Sequence, residues 1–213
     1  MHRRSILAWS LLSAAGWPLT QAHAQAVEVS GVRFPGEVNA NGTKLVLNGA
    51  GVRHKLIFQM YVLALYLPKK TRSLAEVNDL STPKRLVLRP LKDLSTNELG
   101  RLLTKGIETN ATKEDFVKIV PDLSRIGQLM AAYSRVLPSD ALIMDWVPGV
   151  GFVATFRGKV QGEPFPEPAF FRTLLKIWLG DQPPDAKLKS LLLGEPPAGE
   201  AAPGATTIPQ ELL

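Results

Sequence analysis

Between Val27 and Gly194 the apolar positions switch repeatedly between a two-residue and a helical spacing, and those switches lay out the elements. Val27, Val29, Val32 and Phe34 alternate and stop at Pro35-Gly36, which predicts a short strand closed by a turn. Asn41-Gly42 is a strong hairpin signal ahead of Thr43 to Leu47, and Gly49 and Gly51 mark a bend or bulge. The twelve-residue run Leu56 to Leu67 is almost wholly apolar and reads as a strand buried on both faces. It is too short to span a bilayer, which takes roughly 20 helical residues. Lys84 to Leu88 is a further strand, and Leu142 to Trp146 and Phe152 to Phe156 flank a Pro148-Gly149 turn.

Helical spacing takes over elsewhere. Ser73-Leu74-Ala75-Glu76 and Ser95-Thr96-Asn97-Glu98 both have the shape of a capping box. Leu99, Leu102, Leu103 and Ile107 then share one helix face, and Phe116, Ile119, Val120, Leu123, Ile126, Met130 and Tyr133 share another after a start at Thr112. Pro121 should kink or split that second helix. Ala169 to Leu179 and Asp185 to Leu193 close the series, with Gly194 as the stop. Strands, helices, a hairpin, then helices, without alternating βαβ units, predict an antiparallel sheet with helices laid on one face, an α+β domain over residues 27–194.

The two ends stand apart from this pattern. Residues 1–24 read as a secretory signal: His2-Arg3-Arg4, an apolar stretch from Ile6 to Ala15, and the A-x-A site Ala22-His23-Ala24. The expected product starts at Gln25 and is periplasmic or secreted; Arg3-Arg4 fits a general secretory or a twin-arginine signal. Residues 195–213, rich in Pro, Ala and Gly, have little to bury and read as a disordered tail.

Of 25 basic side chains the signal carries two, Arg3 and Arg4, leaving 23 against 19 acidic ones, a net of +4. The cations, including Lys69-Lys70, Lys84-Arg85 and Lys187, are dispersed and read as solvated surface charge, with no nucleic-acid footprint. The absence of cysteine excludes thiol catalysis, disulfides and iron–sulfur clusters, and a single histidine beyond the signal, His54, argues against a histidine triad or metal site. No P-loop, Gly-x-Ser-x-Gly or His-Glu-x-x-His run is present. Gly49-Ala50-Gly51 begins like a dinucleotide fingerprint but lacks the third glycine and the helix. His54 should lie exposed at a strand bend, and Asp145 is best read as a strand-end turn residue. No metal or organic cofactor is expected.

Arg53 is the candidate that remains. A permanent cation at the gate of an apolar strand must be solvated, paired within the protein, or aimed at a ligand's anion. Tyr61 and Tyr66 lie in that strand and face opposite sides by parity, so at most one shares a pocket with Arg53. Arg53 and Tyr61, eight residues apart, would lie roughly 26 Å from each other in a straight strand, and meet only if the chain bends near His54 to Leu56.

Several segments together resemble the chalcone isomerase-like family: Gly31-Val32-Arg33-Phe34-Pro35, Leu47-Asn48-Gly49-Ala50-Gly51-Val52-Arg53, Val62 to Leu67, Pro148 to Gly151, and Leu174 to Gly180 continued by Pro183 to Gly194. The resemblance implies an open-faced β-sandwich, an antiparallel sheet covered by a layer of helices with a ligand cleft between. It also implies one of two functions. Plant enzymes of the family cyclise chalcones, holding the developing phenoxide with the arginine that matches Arg53, helped by a threonine, a tyrosine and an asparagine. The non-catalytic kind binds fatty acids, pairing that arginine with a tyrosine at the position of Tyr61. Where the enzymes carry polar residues this chain has Leu99, Gly106 and Ile177, which favours the binder. The expectation is therefore an amphipathic, fatty-acid-like partner held by Arg53 and Tyr61, without catalytic residues, nucleic acid or a membrane span. The rivals are an intramolecular lyase or isomerase with Arg53 stabilising an oxyanion, and a partner-binding protein with a vestigial cleft and Arg53 on an internal carboxylate.

Overall fold

The computed structural model describes residues 25–195; the signal expected over 1–24 and the tail beyond residue 195 lie outside them. The strands are β1 (Val27–Val29), β2 (Val32–Phe34), β3 (Glu37–Ala40), β4 (Thr43–Lys55), β5 (Phe58–Leu67), β6 (Lys84–Pro90), β7 (Leu94–Ser95), β8 (Arg135–Val136), β9 (Leu142–Val147), β10 (Gly151–Phe156) and β11 (Lys159–Val160). The helices are α1 (Leu74–Asn78), α2 (Thr96–Asn110), α3 (Lys113–Ala131), α4 (Pro168–Leu179) and α5 (Ala186–Leu192). Seven strands form one antiparallel sheet in the order β11-β10-β9-β6-β5-β4-β3. The α+β architecture and its antiparallel sheet agree with the sequence.

The two faces of β5 explain its unbroken apolar run. Tyr61, Leu63, Leu65 and Leu67 join the main core under the helices, while Val62, Ala64 and Tyr66 join a second cluster with Phe34, Leu45 and Leu47. The β1–β2 hairpin supplies Phe34, and Val29 and Val32, to that second layer. Residues 27–34 are thus two strands rather than one. Ser30 and Gly31 both take positive φ, +48° and +76°, the two-residue turn that reverses a hairpin and breaks the alternation.

α4 lies in the helical layer between the sheet and the pair α2–α3, with nine of its twelve residues buried. An aromatic group, Trp146 and Phe152 on the sheet with Phe165, Phe170 and Phe171, fastens it there. Helix α3 runs unbroken through Pro121. The carbonyl that proline leaves without a donor belongs to Val117, an exposed residue that water can reach. Ser73 and Thr112 cap α1 and α3 as their sequences predict, but Ser95 makes no side-chain cap. Ser95 is held in the β7–β8 ladder opposite Arg135, and it is Thr96 that donates its hydroxyl, to the Tyr133 carbonyl.

Three charges taken for surface or turn residues are structural. Arg85 donates from Nε and Nη2 to the two oxygens of Asp145, both at 2.7 Å, on the face of the sheet away from the helices. Asp145 is buried in mid-strand, and Asn41 donates to the same carboxylate. Lys84 is also buried, its ammonium donating to the carbonyls of Asp79 and Thr82 and to the Thr82 hydroxyl.

Candidate functional site

The bend that Arg53 and Tyr61 require is a complete reversal. Lys55 pairs with Phe58 across a two-residue loop, and β4 returns along β5 so that Arg53 and Tyr61 are cross-strand partners. A register shift between Arg53 and His54 sits beside them. A second shift, between Leu47 and Gly49, is the bulge that the glycines predict.

Gly49 and Gly51 share the helix-side face of β4 with Arg53, and their missing side chains admit α5. A Cβ on Gly49 would overlap the Leu191 carbonyl, and one on Gly51 would stand 2.7 Å from Leu191 Cδ1. Lying directly on the β4 backbone, α5 delivers its N-cap, Asp185, to the site. One Asp185 oxygen accepts from the Leu188 N–H at 3.1 Å and the other from the His54 N–H at 2.9 Å. Asn48 ties the opposite end of the helix, donating to the Leu192 carbonyl at 2.7 Å.

Arg53 Nη1 lies 3.8 Å from Asp185 Oδ2, close enough for charge attraction and too long for a hydrogen bond. The contrast with the 2.7 Å fork of Arg85 on Asp145 is plain. Arg53 is mostly buried, its side chain 15% exposed, and its contacts with Asp185 and the Tyr61 hydroxyl leave further guanidinium N–H donors for a ligand. Tyr61 is nearly closed off, and its hydroxyl accepts from Trp178 Nε1 at 2.8 Å. Burial, with a smaller push from the Asp185 charge, raises the Tyr61 pKa, against the Trp178 hydrogen bond and the charge and hydrogen bond of Arg53, which lower it. The phenol therefore stays protonated at neutral pH, with its O–H free to donate. Trp178 and Asp185 belong to the site although sequence reasoning assigned neither a role; the one signal was that Trp178 stands in the Leu174 to Gly180 segment that carries the family resemblance. His54 is partly exposed beside Asp185, its Nδ1 3.9 Å from the carboxylate, and lies outside the cavity lining.

From this polar corner a cavity of about 570 Å³ runs between the sheet and α2, α3 and α4. It reaches Phe156 on β10, four strand spacings or about 19 Å across the sheet. Leu88, Leu103, Ile126, Met144, Phe152 and Leu174 are typical of its walls, and its mouth carries Lys55, Glu98 and Lys105. Tyr66 faces the other layer, where its hydroxyl donates to the Pro35 carbonyl. Leu99, Gly106 and Ile177 all line the cavity. Gly106 and Ile177 are fitted to each other, since a Cβ at 106 would lie 3.0 Å from two Ile177 carbons. No group of three or more histidines and carboxylates able to hold a metal occurs among the described residues, and none of their helices is long and apolar enough to cross a membrane.

Among curated protein sequences none matches the chain. Among solved structures, a fatty-acid binding protein of Arabidopsis thaliana is similar in fold, with a TM-score of 0.60 at 13% identity over 79% of this chain and 96% of that one. The chalcone isomerase-like family matches residues 26–194, nearly all of the described chain. With its antiparallel sheet, its helical layer and the cavity between them, the chain belongs to the chalcone isomerase-like family.

Proposed function

We propose that this protein binds a fatty acid or similar amphipathic carboxylate, without catalysis, after export to the periplasm or beyond. The observation that carries the reading is the cavity: a long apolar volume with one incompletely paired guanidinium and one protonated phenol at a single end. A carboxylate suits those donors, since the planar arginine fork can bind it bidentately and Tyr61 can add a third bond. The walls suit an acyl tail. Each buried methylene contributes about 0.8 kcal/mol, so ten give on the order of 8 kcal/mol gross before ordering is subtracted. The tail supplies affinity and Arg53 sets orientation. The solved relative described as a fatty-acid binding protein supports the same choice.

Asp185 beside Arg53 favours a second reading, in which the arginine is satisfied internally and the cleft is vestigial. Its separation and the open cavity weigh against this. An intramolecular lyase finds less support, because Leu99, Gly106 and Ile177 present hydrocarbon or no side chain where it would need polar groups. Calorimetric titration with saturated fatty acids of increasing length tests the proposal. One-to-one binding that tightens with each added methylene is expected; the matching alcohols should bind more weakly. Binding indifferent to both tail and carboxylate would overturn it.

A further inference from the structure

The loop joining β4 to β5, with the first residue of β5, holds three consecutive apolar residues in water: Leu56 is 90% exposed, Ile57 86% and Phe58 57%. A two-residue hairpin loop normally carries Gly, Asn or Asp. This one has positive φ at its first position alone, +57° at Leu56, the II′ pattern in which glycine is strongly preferred. A leucine in that conformation is strained and, being exposed, returns no burial among the described residues.

Two further observations indicate what covers it. Lys55, at the foot of the loop, also lines the mouth of the cavity, so the tip adjoins the opening through which a ligand would pass. The charges around the tip are mainly positive. Lys55 donates to Glu98 at 3.0 Å, Lys92 lies 5.4 Å from the centre of the Phe58 ring, and the Lys55 hydrogen bond, with the charges of Lys55, Lys92 and Arg101, holds the Glu98 carboxyl below its usual range. Lys55 and Lys92 beside the apolar tip, with Arg101 acting on the same Glu98, complement an anionic lipid surface. We propose that the Leu56-Ile57-Phe58 tip docks on an anionic membrane interface, seating the cavity mouth against the headgroups so that an amphiphile can pass between bilayer and protein. This rests on the lipid-binding reading of the cavity and adds its source.

The chain contains no cysteine, so Ile57→Cys in the full chain can carry one environment-sensitive fluorophore, with Lys44→Cys, at the opposite end of β4, as control. Phosphatidylcholine vesicles containing phosphatidylglycerol should brighten and blue-shift the label at 57 and leave that at 44 unchanged. Vesicles of phosphatidylcholine alone should do much less, and added salt should weaken the response. In the labelled chain, Leu56→Asn with Lys92→Glu should raise the half-saturating lipid concentration about tenfold or more. Asn suits the positive φ, so the hairpin is preserved. Calorimetric uptake of monomeric decanoate should stay within about twofold, since neither residue lines the cavity. Equal responses at 57 and 44, no response to either vesicle, or tip-dependent dimerisation without lipid would overturn the docking surface. Decanoate uptake alongside any of these leaves the cavity reading standing. A tip-specific vesicle response without decanoate uptake would sink the cavity reading and support docking alone.

Discussion

Arg53→Ala separates a ligand clamp from a structural ion pair, and the geometry sets the sizes expected. Removing one partner of a buried, hydrogen-bonded pair destabilises a fold by about 3–5 kcal/mol, because the stranded charge has nowhere to go. Asp185 would not be stranded: it keeps the Leu188 and His54 N–H groups, and Arg53 approaches no closer than 3.8 Å. The apo protein should therefore lose about 1 kcal/mol or less. Arg85→Ala is the internal control, since it strands Asp145 from two 2.7 Å bonds on the opposite face; about 3–5 kcal/mol is expected there. A bound carboxylate loses its charge-assisted partner in Arg53→Ala, which should weaken binding by about 2–4 kcal/mol, roughly 30- to 1,000-fold. Arg53→Lys, a point charge without the fork, should fall between. Urea melts of delipidated proteins give the first quantity and fatty-acid titrations the second. An apo protein destabilised as much as by Arg85→Ala, with affinity unaltered, would refute the clamp.

Chalcone should not cyclise above background, and turnover that disappears in Arg53→Ala would reinstate the enzyme reading. Gly49→Ala, which drives a methyl into backbone carbonyls, should lower stability by about 3 kcal/mol or more, and Gly51→Ala, which meets side-chain ends, by about 1–2 kcal/mol; thermal melts decide. Stability should rise from pH 8 to about 10, because burial lowers the Lys84 pKa to about 8 from an ordinary 10.5 and the unfolded chain holds more protons in that window. Above pH 10 the contribution of Tyr66, raised by burial to about 12, is lost as the pH climbs through that value, so stability should fall again; melts of Lys84→Met should lack the rising limb.

Most elements were legible because the helix-side face of the sheet is buried, so the apolar period had to match the pleat. The chain from β5 to β6, the Val147–Gly151 turn and the closing helices carried that signal in short-range spacing. The tip at Leu56-Ile57 did not, since an apolar loop continues an apolar strand without a break in pattern. Parity placed Tyr61 and Tyr66 on opposite faces, and residue type singled out Arg53 as a cation needing an explanation. What residue types could not give was pairing. Arg85 and Asp145 are 60 positions apart, and Tyr61 and Trp178 are 117 apart, and each pair exists only once the sheet and α4 have assembled. The two glycines before Arg53 were readable as a bulge, but their second purpose, clearance for α5, depends on a helix that begins more than 130 residues later.

That clearance has a consequence for the ligand. By admitting α5, Gly49 and Gly51 place a carboxylate beside the cation that would receive another carboxylate, so headgroup binding works against a like charge. At an effective dielectric near 20 two such charges repel by about 3 kcal/mol at 6 Å. Arg53 and the two N–H donors neutralise part of this, leaving about 1–2 kcal/mol. Asp185→Asn removes the charge and keeps the cap, since its side-chain oxygen can still accept from Leu188, at the cost of the acceptor that Asp185 gives to the His54 N–H. The variant should bind a fatty acid roughly tenfold more tightly and the matching alcohol no differently, with the fold about 1–3 kcal/mol less stable for the lost His54 acceptor. An equal gain for acid and alcohol would mean that the cavity had changed shape rather than charge. Weaker acid binding by a variant that remains folded would mean that Asp185 orients Arg53 for the ligand instead of competing with it.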